Sequence, residues 1–310
     1  MSKLLITGGN GFLGKHVRSV VYQDWEILTP KHEDTDFCSY AETYDYFEIN
    51  KPDYVIHCAG YNGGIEFNRL YPADIVDANT RMALNVYDCA RVYNVKKMVS
   101  VITSCAYPDG GDVLKEDTLW DGLPNESIRG HGIAKRMLQV LAEQYNKQYG
   151  CNFVCSCITN LYGSGDTFHP TRTKVVGAII RKVVEAHQQN KPYIECWGTG
   201  KPLREFMFVR DAAKALIQML DSYNDCTKPL NIGTGIETSI KDLVDTVVQL
   251  VGYEGEVRWL KDRGDGQMRK LLDSSTMRNL LNIYVTPLED GLKQTIDWYI
   301  DNQEIANASK

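Results

Sequence analysis

The sequence lacks the features that mark several large classes of protein. It has no long run of basic residues and a formal net charge of −6, so a nucleic-acid partner has little support. No apolar stretch reaches about 18 residues, which argues against a membrane-spanning helix and a membrane partner. The first residues enter a predicted strand (3–7) at once, without the apolar stretch and cleavage site of a signal peptide. We therefore expect a cytoplasmic protein.

Cysteine occurs nine times, but no two cysteines form a Cys-x-x-Cys pair. An odd count without such pairs predicts neither a disulfide framework nor a metal site. We expect a reducing cytoplasm, no bound metal, and cysteines that mostly fill the core.

The arrangement of apolar segments predicts the fold class. Hydrophobic residues make up 43% of the 310 residues and charged residues 24%, as in ordinary globular proteins. Apolar strand patterns at 3–7, 26–28, 54–59, 97–102, 153–158 and 229–232 alternate with helical patterns such as 72–93 and 131–149. This alternation predicts an α/β fold with a doubly wound parallel sheet.

The rest of the chain is expected to form a smaller C-terminal α/β part. We predict a loop at 60–65, a strand at 204–209, helices at 174–189, 211–220 and 239–251, and two short helices before frayed final residues. There are no repeats, low-complexity segments or linkers.

Three glycines between the first strand and the first helix predict a dinucleotide site. Gly8, Gly11 and Gly14 give the spacing G-x-x-G-x-x-G. Such glycines allow a tight turn and a close approach to a pyrophosphate, which the helix N-terminus also attracts. The sheet is then of the Rossmann type. The cofactor contacts expected here and at the end of strand 54–59 are Gly8, Gly11, Phe12, Leu13, Gly14, Ala59 and Gly60.

The segment after strand 26–28 favours NADP(H) over NAD. An NAD site usually has an acidic residue here that bonds the ribose 2′-OH, whereas this chain has Lys31 and His32. A basic pair suits a 2′-phosphate, although both residues would also be ordinary in a solvated loop. Asp36 is expected near the adenine.

Other polar residues collect at strand ends and on helices. Thr103 and Cys105 follow strand 97–102, at the sheet edge where ligands bind in such folds. His131 and Lys135 are at i and i+4 and project from one face of a helix. His57, within a strand, is interpreted as structural.

Several motifs together resemble a known family. They are GGNGFLG at 8–14, GYNGGI at 60–65, SCAYP at 104–108, HGIAK at 131–135, NLYG with FHP at 160–170, WGTGKPLREF at 197–206, NIGTG at 231–235 and RKLLD at 269–273. This set resembles the extended short-chain dehydrogenases/reductases and, within them, the GDP-L-fucose synthase family. The first motif is common to many dinucleotide-binding enzymes, but the combination is far more specific.

The resemblance implies an NADPH-dependent epimerase-reductase acting on a GDP-linked 4-keto-6-deoxy-sugar. Cys105 and His169 match the acid/base pair that inverts C3 and C5, and both side chains titrate near neutral pH. Cys105 taken alone could equally be a buried thiol at a strand end. Thr103 would polarise the ketone, and Lys135 would bind the nicotinamide ribose and lower the pKa of the proton donor. The substrate contacts carried over are Asn160, His169, Trp197, Arg204 and Lys270.

The resemblance also implies a division of the chain and an oligomeric state. Residues 1–163 with about 206–236 would bind NADP, and about 164–205 with 237–303 would bind the sugar nucleotide. A homodimer formed through two helices of the first domain is expected.

The chain departs from the family at the proton donor, because His131 stands where the family has tyrosine. One hypothesis keeps His131 as the donor, although the charge of Lys135 disfavours its protonated form. Alternatively the reduction is lost and a 3,5-epimerase remains, or the protein has another role. A dehydratase is disfavoured, since Ser104 and Cys105 replace the Asp-Glu pair of those enzymes. The retained Cys105 and His169 argue against a non-catalytic protein.

Overall fold

A parallel sheet forms the centre of the structure, which is a computed structural model describing residues 1–111, 113–170 and 172–308. The strands are β1 (Lys3–Thr7), β2 (Glu26–Leu28), β3 (Tyr54–His57), β4 (Lys97–Thr103), β5 (Phe153–Ile158), β6 (Asn160–Tyr162), β7 (Tyr193–Trp197), β8 (Leu203–Arg204), β9 (Phe206–Phe208), β10 (Leu230–Ile232), β11 (Thr238–Ser239), β12 (Glu256–Leu260) and β13 (Arg269–Lys270). Six of them form the central sheet in the order β2-β1-β3-β4-β5-β10, with every neighbouring pair parallel.

Helices connect the strands and cover both faces of this sheet. They are α1 (Phe12–Val20), α2 (Tyr40–Asn50), α3 (Ile65–Leu70), α4 (Pro72–Val92), α5 (Arg129–Tyr149), α6 (Val175–Gln188), α7 (Val209–Ser222), α8 (Ile240–Val251), α9 (Ser275–Leu280), α10 (Leu288–Asp301) and α11 (Gln303–Ala308). The strand order reverses beside β1, which has β2 on one side and β3 on the other. Ligands of such sheets bind at the carboxyl ends of the strands next to this reversal.

The alternation of side chains along each strand divides the core between the two faces. Leu5 of β1 packs in one cluster with Tyr87 of α4 and Leu138 of α5. Its neighbours Leu4 and Ile6 pack on the other face with helix α7. Burial of one such side chain contributes about 1.5–3 kcal/mol. The Rossmann-type sheet predicted from the apolar strands is therefore present, with both faces covered.

The C-terminal part has its own core and smaller sheets. A third cluster includes Phe168, Ile180, Phe206, Val244 and Tyr299. β7 pairs with β12, β6 pairs with β9, and β8 lies between β11 and β13. The exact division of the chain into two domains stays a prediction.

Several predicted element boundaries were wrong. The predicted strand 204–209 is interrupted: β8 ends at Arg204, and β9 pairs with a different strand before α7 begins at Val209. The loop expected at 60–65 already starts α3 at Ile65. α2 was not predicted, because only Thr43 and Phe47 of its residues are buried and the apolar period is therefore weak.

The C-terminus is also more ordered than expected. It contains three helices instead of two short ones, and α10 has 14 residues. Most of the final residues that were expected to be frayed are helical, since α11 continues to Ala308, and residues 309 and 310 lie outside the described chain. Ala306 is buried and its carbonyl accepts a hydrogen bond from Phe168 N–H at 3.1 Å. This packing anchors α11 on the segment that carries His169.

Candidate functional site

The glycine loop joins β1 to α1 at the reversal in the sheet. Gly8 has a φ of +67°, and a Cβ there would lie 2.9 Å from the Cα of Ala59. Only glycine fits this contact. Gly11 is the N-cap of α1 and provides no side-chain hydrogen bond to the first N–H groups of the helix. Phe12 and Leu13 are half-buried. The loop therefore has the open backbone that a pyrophosphate requires.

The other predicted cofactor residues border this loop. The Asn10 amide donates to the carbonyl of Thr29 at 3.1 Å and joins the glycine loop to the end of β2. Lys31 and His32 follow there and are exposed. The His32 Nδ1 lies 3.8 Å from Asp36 Oδ1. The basic pair is thus accessible beside the loop, as a 2′-phosphate contact would require, but its role stays a prediction.

The end of β4 carries the predicted catalytic thiol. Thr103 ends the strand, and its buried hydroxyl lies near Cys105, whose thiolate form it favours. Ser104–Ala106 form a short 3₁₀ turn that places Cys105 beyond the sheet edge. The ammonium of Lys270, on β13, donates a hydrogen bond to Cys105 Sγ at 3.3 Å. A residue predicted to bind substrate therefore also contacts the predicted catalytic sulfur.

Lys270 changes the acidity of this thiol. Burial opposes ionisation of Cys105, but the charge of Lys270 and its hydrogen bond favour the thiolate, with a weaker contribution from the charge of Lys174. The pKa of Cys105 is consequently lowered from its usual value. By contrast, burial raises the pKa of Cys58 to about 12 and that of Cys155 to about 12. Cys105 is thus set apart electrostatically from these two core cysteines.

Helix α5 packs directly against the turn that carries Cys105. A Cβ at Gly132 would lie 2.6 Å from the carbonyl oxygen of Cys105, so a larger residue would push the helix away. His131 precedes this contact and is buried, with 3% of its surface exposed. Lys135, one turn later, donates from Nζ to the carbonyl of Ala59 at 3.4 Å. The i, i+4 pair predicted from the sequence therefore lies between the Cys105 turn and the carboxyl end of β3.

Burial strongly lowers the pKa values of both His131 and Lys135. Burial, and secondarily the charges of Lys135, Lys174 and Lys270, lower the pKa of His131 to about 3. Burial also lowers the pKa of Lys135 to about 8. His131 is therefore a neutral imidazole at neutral pH. The sequence predicted the effect of Lys135 on His131, but burial is the larger cause.

The segment that carries His169 packs over the same region. His169 is half-buried in the loop between β6 and α6, and its backbone N–H donates to Thr167 Oγ1 at 3.3 Å. The Arg172 guanidinium lies 5.2 Å from the centre of the Phe67 ring on α3. Lys174 ends this loop, and its charge acts on both Cys105 and His131. The loop therefore joins the site from the C-terminal part.

The remaining predicted substrate residues lie on strands of the C-terminal part. Arg204 and Lys270 are opposite each other in β8 and β13. Burial lowers the pKa of the Arg204 guanidinium, which the nearby Cys105 partly offsets. Asn160 donates from Nδ2 to the carbonyl of Glu205 at 3.0 Å. Trp197, at the end of β7, is 68% exposed. Arg204 and Lys270 thus lie on the side of the site that carries the Cys105 thiol. The indole of Trp197 is accessible to solvent.

Glu205 is a buried carboxylate that holds three segments together. It has no exposed surface, and it accepts from Gly235 N–H at 2.7 Å and from Leu272 N–H at 3.1 Å. Burial raises its pKa, and these donors oppose the rise. Because Leu272 follows Lys270 closely, Glu205 fixes the backbone that presents Lys270 to Cys105.

Replacing Glu205 with alanine should destabilise the protein by about 2–5 kcal/mol, because it leaves two or more buried donors unsatisfied at about 1–3 kcal/mol each. Urea denaturation would measure the loss. Glu205→Gln keeps one acceptor oxygen and should lose less. Equal stability of the alanine variant and the wild type would contradict this role.

The sequence did not reveal three residues near the predicted catalytic groups. Asn62 contacts the His131 ring, Lys174 acts on it by charge, and Glu205 supports the Lys270 strand. Asn62 lies in the motif at 60–65 and Glu205 in the motif at 197–206. The spacing of residues in these motifs does not indicate which distant residues Asn62 and Glu205 contact. His57 bonds Thr7 Oγ1 at 2.7 Å within the sheet, and burial lowers its pKa to about 3, as suits a structural histidine.

Neither a membrane-spanning helix nor a metal-binding cluster is found among the described residues. None of the helices between residues 1 and 308, outside positions 112 and 171, has the length and apolar character needed to span a bilayer. In the same part of the chain, no three His, Cys, Asp or Glu side chains gather into a possible metal site.

Comparison with known proteins shows extensive similarity. Residues 4–233 match the family described as "NAD dependent epimerase/dehydratase family". The chain is 36% identical to GDP-L-fucose synthase 1 of Arabidopsis thaliana, covering 97% of this chain and 94% of that protein.

Solved structures show the same relationship. A GDP-L-fucose synthetase from Naegleria fowleri bound to NADP superposes with a TM-score of 0.91 at 28% identity, covering 99% of this chain and 95% of that one. A GDP-6-OMe-4-keto-L-xylo-heptose reductase from C. jejuni gives a TM-score of 0.89 at 27% identity, covering 97% and 98%.

Proposed function

Since the chain belongs to the NAD dependent epimerase/dehydratase family, the extended short-chain dehydrogenases/reductases, we propose that it is an NADPH-dependent epimerase-reductase acting on a GDP-linked 4-keto-6-deoxy-sugar. The observation that carries this proposal is the Lys270–Cys105 contact, which supports an ionised thiol at the sheet edge beside α5. The relatives named as GDP-L-fucose synthases, and the NADP bound to the Naegleria protein, support the substrate class and the cofactor.

The residues around the glycine loop fit a dinucleotide. The open N-terminus of α1 and the close approach at Gly8 leave room for phosphates. Lys31 and His32 would bind the 2′-phosphate, and Lys135 the nicotinamide ribose. The bound cofactor supplies hydride to C4 of the sugar.

The epimerisation requires a base and an acid on opposite faces of the sugar. The Cys105 thiolate removes the proton from the carbon beside the ketone, and the electron pair of the broken C–H bond moves into an enolate. His169 then delivers a proton to the other face, where a new C–H bond forms. By the resemblance, the Thr103 hydroxyl would hydrogen-bond the C4 oxygen, whose charge grows in this step.

Two cations near the Cys105 thiol would bind the nucleotide. Arg204 and Lys270 carry charges that suit a pyrophosphate, with Asn160 and the exposed Trp197 beside the sugar nucleotide. We also propose that the two parts of the chain divide cofactor and substrate binding as the sequence predicts, and that the protein is a homodimer.

One observation favours a second candidate, a 3,5-epimerase without reduction. The His131 pKa of about 3 means that no imidazolium is available at neutral pH. Its Nδ1 is buried without a hydrogen-bond partner in the described chain and is inaccessible to a ligand. His131 by itself is therefore a poor replacement for a tyrosine donor.

Incubation with GDP-4-keto-6-deoxy-mannose and NADPH in deuterated water tests both candidates. The proposed activity gives deuterium at C3 and C5 together with oxidation of NADPH, seen as loss of its absorbance. Deuterium uptake without NADPH oxidation supports the epimerase alone. A GDP-4-keto-heptose should be tested in parallel, because the C. jejuni relative acts on such a sugar. If neither substrate shows either event, both candidates are wrong.

A further inference from the structure

An exposed asparagine lies at the tip of the buried His131 ring. Asn62 is in the loop between β3 and α3, at the carboxyl edge of the sheet. Its Nδ2 is 3.3 Å from His131 Nε2. The other ring nitrogen, Nδ1, is buried and makes no hydrogen bond in the described chain. The ring therefore presents only its Nε2 side to this loop.

The surrounding hydrogen bonds fix which atom of Asn62 faces the histidine. Asn68 is buried, and its Nδ2 lies within hydrogen-bond distance of the carbonyls of Gly63 (3.2 Å) and Gly64 (3.1 Å). Two carbonyl acceptors require a donor there, so the Asn68 amide cannot be turned around. The atom of Asn62 that lies 3.0 Å from this Nδ2 is Oδ1, because a second NH2 group in its place would set donor against donor. The Nδ2 of Asn62 must therefore point to His131.

This direction fixes the tautomer of the imidazole. Asn62 Nδ2 can only donate, so His131 Nε2 accepts and the ring proton resides on Nδ1. That proton is enclosed and cannot reach a ligand. The neutral ring thus offers no donor to the site. Asn62 Nδ2 has two hydrogens, however, and only one is needed for His131.

The loop itself is held in place from a second helix. Asn79 of α4 accepts from Tyr61 N–H at 3.2 Å and donates to the Tyr61 carbonyl at 2.8 Å. The residue before Asn62 is therefore fixed through both of its backbone groups. Asn62 is exposed as a side chain but is positioned by Asn68, Asn79 and His131 together.

We propose that the side-chain amide of Asn62, oriented by His131 and Asn68, is the hydrogen-bond donor to the C4 oxygen of the substrate during reduction. This inference rests on the proposed epimerase-reductase function. An imidazole ring is shorter than a tyrosine, whose hydroxyl reaches beyond the place of Nε2. The amide nitrogen of Asn62 is 3.3 Å from Nε2, at the tip of the shorter ring. Asn62 and His131 together thus cover the reach of the tyrosine that the family uses.

The chemistry of the step follows from the properties of an amide. When hydride forms the new C–H bond at C4, the carbonyl π electrons move to oxygen, and a preorganised N–H stabilises the resulting negative charge. An amide does not give up its proton at neutral pH. The alkoxide therefore takes its proton from a water molecule, and hydroxide leaves to solvent.

Replacing Asn62 with valine tests the inference. Loss of one such donor lowers the rate of charge-developing steps by about 10²–10³-fold. NADPH oxidation in single-turnover assays should fall by about this factor, whereas NADPH affinity should change little. Deuterium uptake at C3 and C5 should also fall, because the enolate places its charge on the same C4 oxygen. In the His131→Tyr background the tyrosine hydroxyl supplies the donor, so the same Asn62→Val change should have little effect on reduction. Asn62→Asp keeps the size but loses the N–H and should resemble valine.

A second readout does not depend on activity. ¹⁵N NMR of the wild type should show His131 protonated at Nδ1 and unprotonated at Nε2, and Asn62→Val should remove this preference. Unchanged NADPH oxidation in Asn62→Val, a loss of NADPH affinity that accounts for slower oxidation, or an Nε2–H tautomer in the wild type would overturn the inference alone. A wild type that exchanges deuterium but oxidises no NADPH would overturn the reductase proposal, and this inference with it.

Discussion

Replacing Cys105 with serine is expected to slow deuterium uptake at C3 and C5 by about 10²–10⁴-fold, the usual contribution of a general acid or base. The reason is electrostatic. Lys270 Nζ lies 3.3 Å from Cys105 Sγ and lowers the pKa of the thiol despite its burial. A serine hydroxyl is far less acidic and would not ionise there. Reduction of a substrate that is already epimerised should be nearly unaffected.

A companion variant separates the sulfur from the charge that activates it. Lys270→Met removes the hydrogen bond and the positive charge, so the pKa of Cys105 should rise. Because a thiol reacts as the thiolate, alkylation of Cys105 increases with pH, and its midpoint should move to higher pH in the variant. Mass spectrometry of the Cys105 peptide after iodoacetamide treatment measures this profile.

The matched control is Lys147→Met, which changes an exposed lysine in the last turn of α5. Its alkylation profile and its deuterium exchange should equal those of the wild type. A Cys105→Ser variant that exchanges deuterium as fast as the wild type would rule out the thiol as the base. An unchanged alkylation midpoint in Lys270→Met would show that Lys270 does not control it.

Much of the central fold could be predicted because burial on both faces leaves a strong signal. β1, β4 and β5 are nearly continuous apolar runs, and the glycine loop between β1 and α1 predicts its own turn. Helix α2 was missed because few of its positions are buried. Helix α3 was missed because it has only 6 residues. Their existence depends on tertiary contacts more than on local pattern.

The candidate site was only partly predictable for a related reason. Thr103 and Cys105 were recognisable because they follow a strand, and His131 and Lys135 because they share a helix face. The contact of Lys270 with Cys105 depends on how β13 is placed next to β8, which no local spacing encodes. Likewise Asn62 is a loop residue whose partner His131 lies far along the chain. Side-chain contacts between distant segments therefore needed the structure.

The second substitution with a large expected effect on activity and stability is at Lys135. Lys135→Met should lower the rate of NADPH oxidation by about 10²–10⁴-fold if Lys135 takes part in the hydride-transfer site. The same change should make the cofactor-free protein more stable at neutral pH. Burial lowers the Lys135 pKa from 10.5 to about 8, so the folded state holds a cation in surroundings that disfavour charge. A methionine of similar length carries no such penalty.

The pH dependence follows from the sign of this shift. Between pH 8 and 10.5 the unfolded chain keeps the Lys135 proton while the folded protein loses it. The stability of the wild type should therefore rise with pH across this window. Below pH 8 both states are protonated and the full penalty remains, about 3.5 kcal/mol at most, since one pKa unit corresponds to about 1.4 kcal/mol. The advantage of Lys135→Met should be largest there and vanish near pH 10.5.

Urea denaturation of both proteins at pH 7 and pH 10 measures this difference, with Lys147→Met as the control that should show none. A Lys135→Met protein less stable than the wild type at pH 7 would mean that the hydrogen bond from Lys135 to the Ala59 carbonyl outweighs the burial of its charge. If Lys135→Met is more stable than the wild type but no longer oxidises NADPH, then Lys135 serves function at a cost in stability. Buried cations in active sites often do so. Removing the cation would also raise the pKa of the His131 imidazole, although burial, the larger cause of its low pKa, would remain.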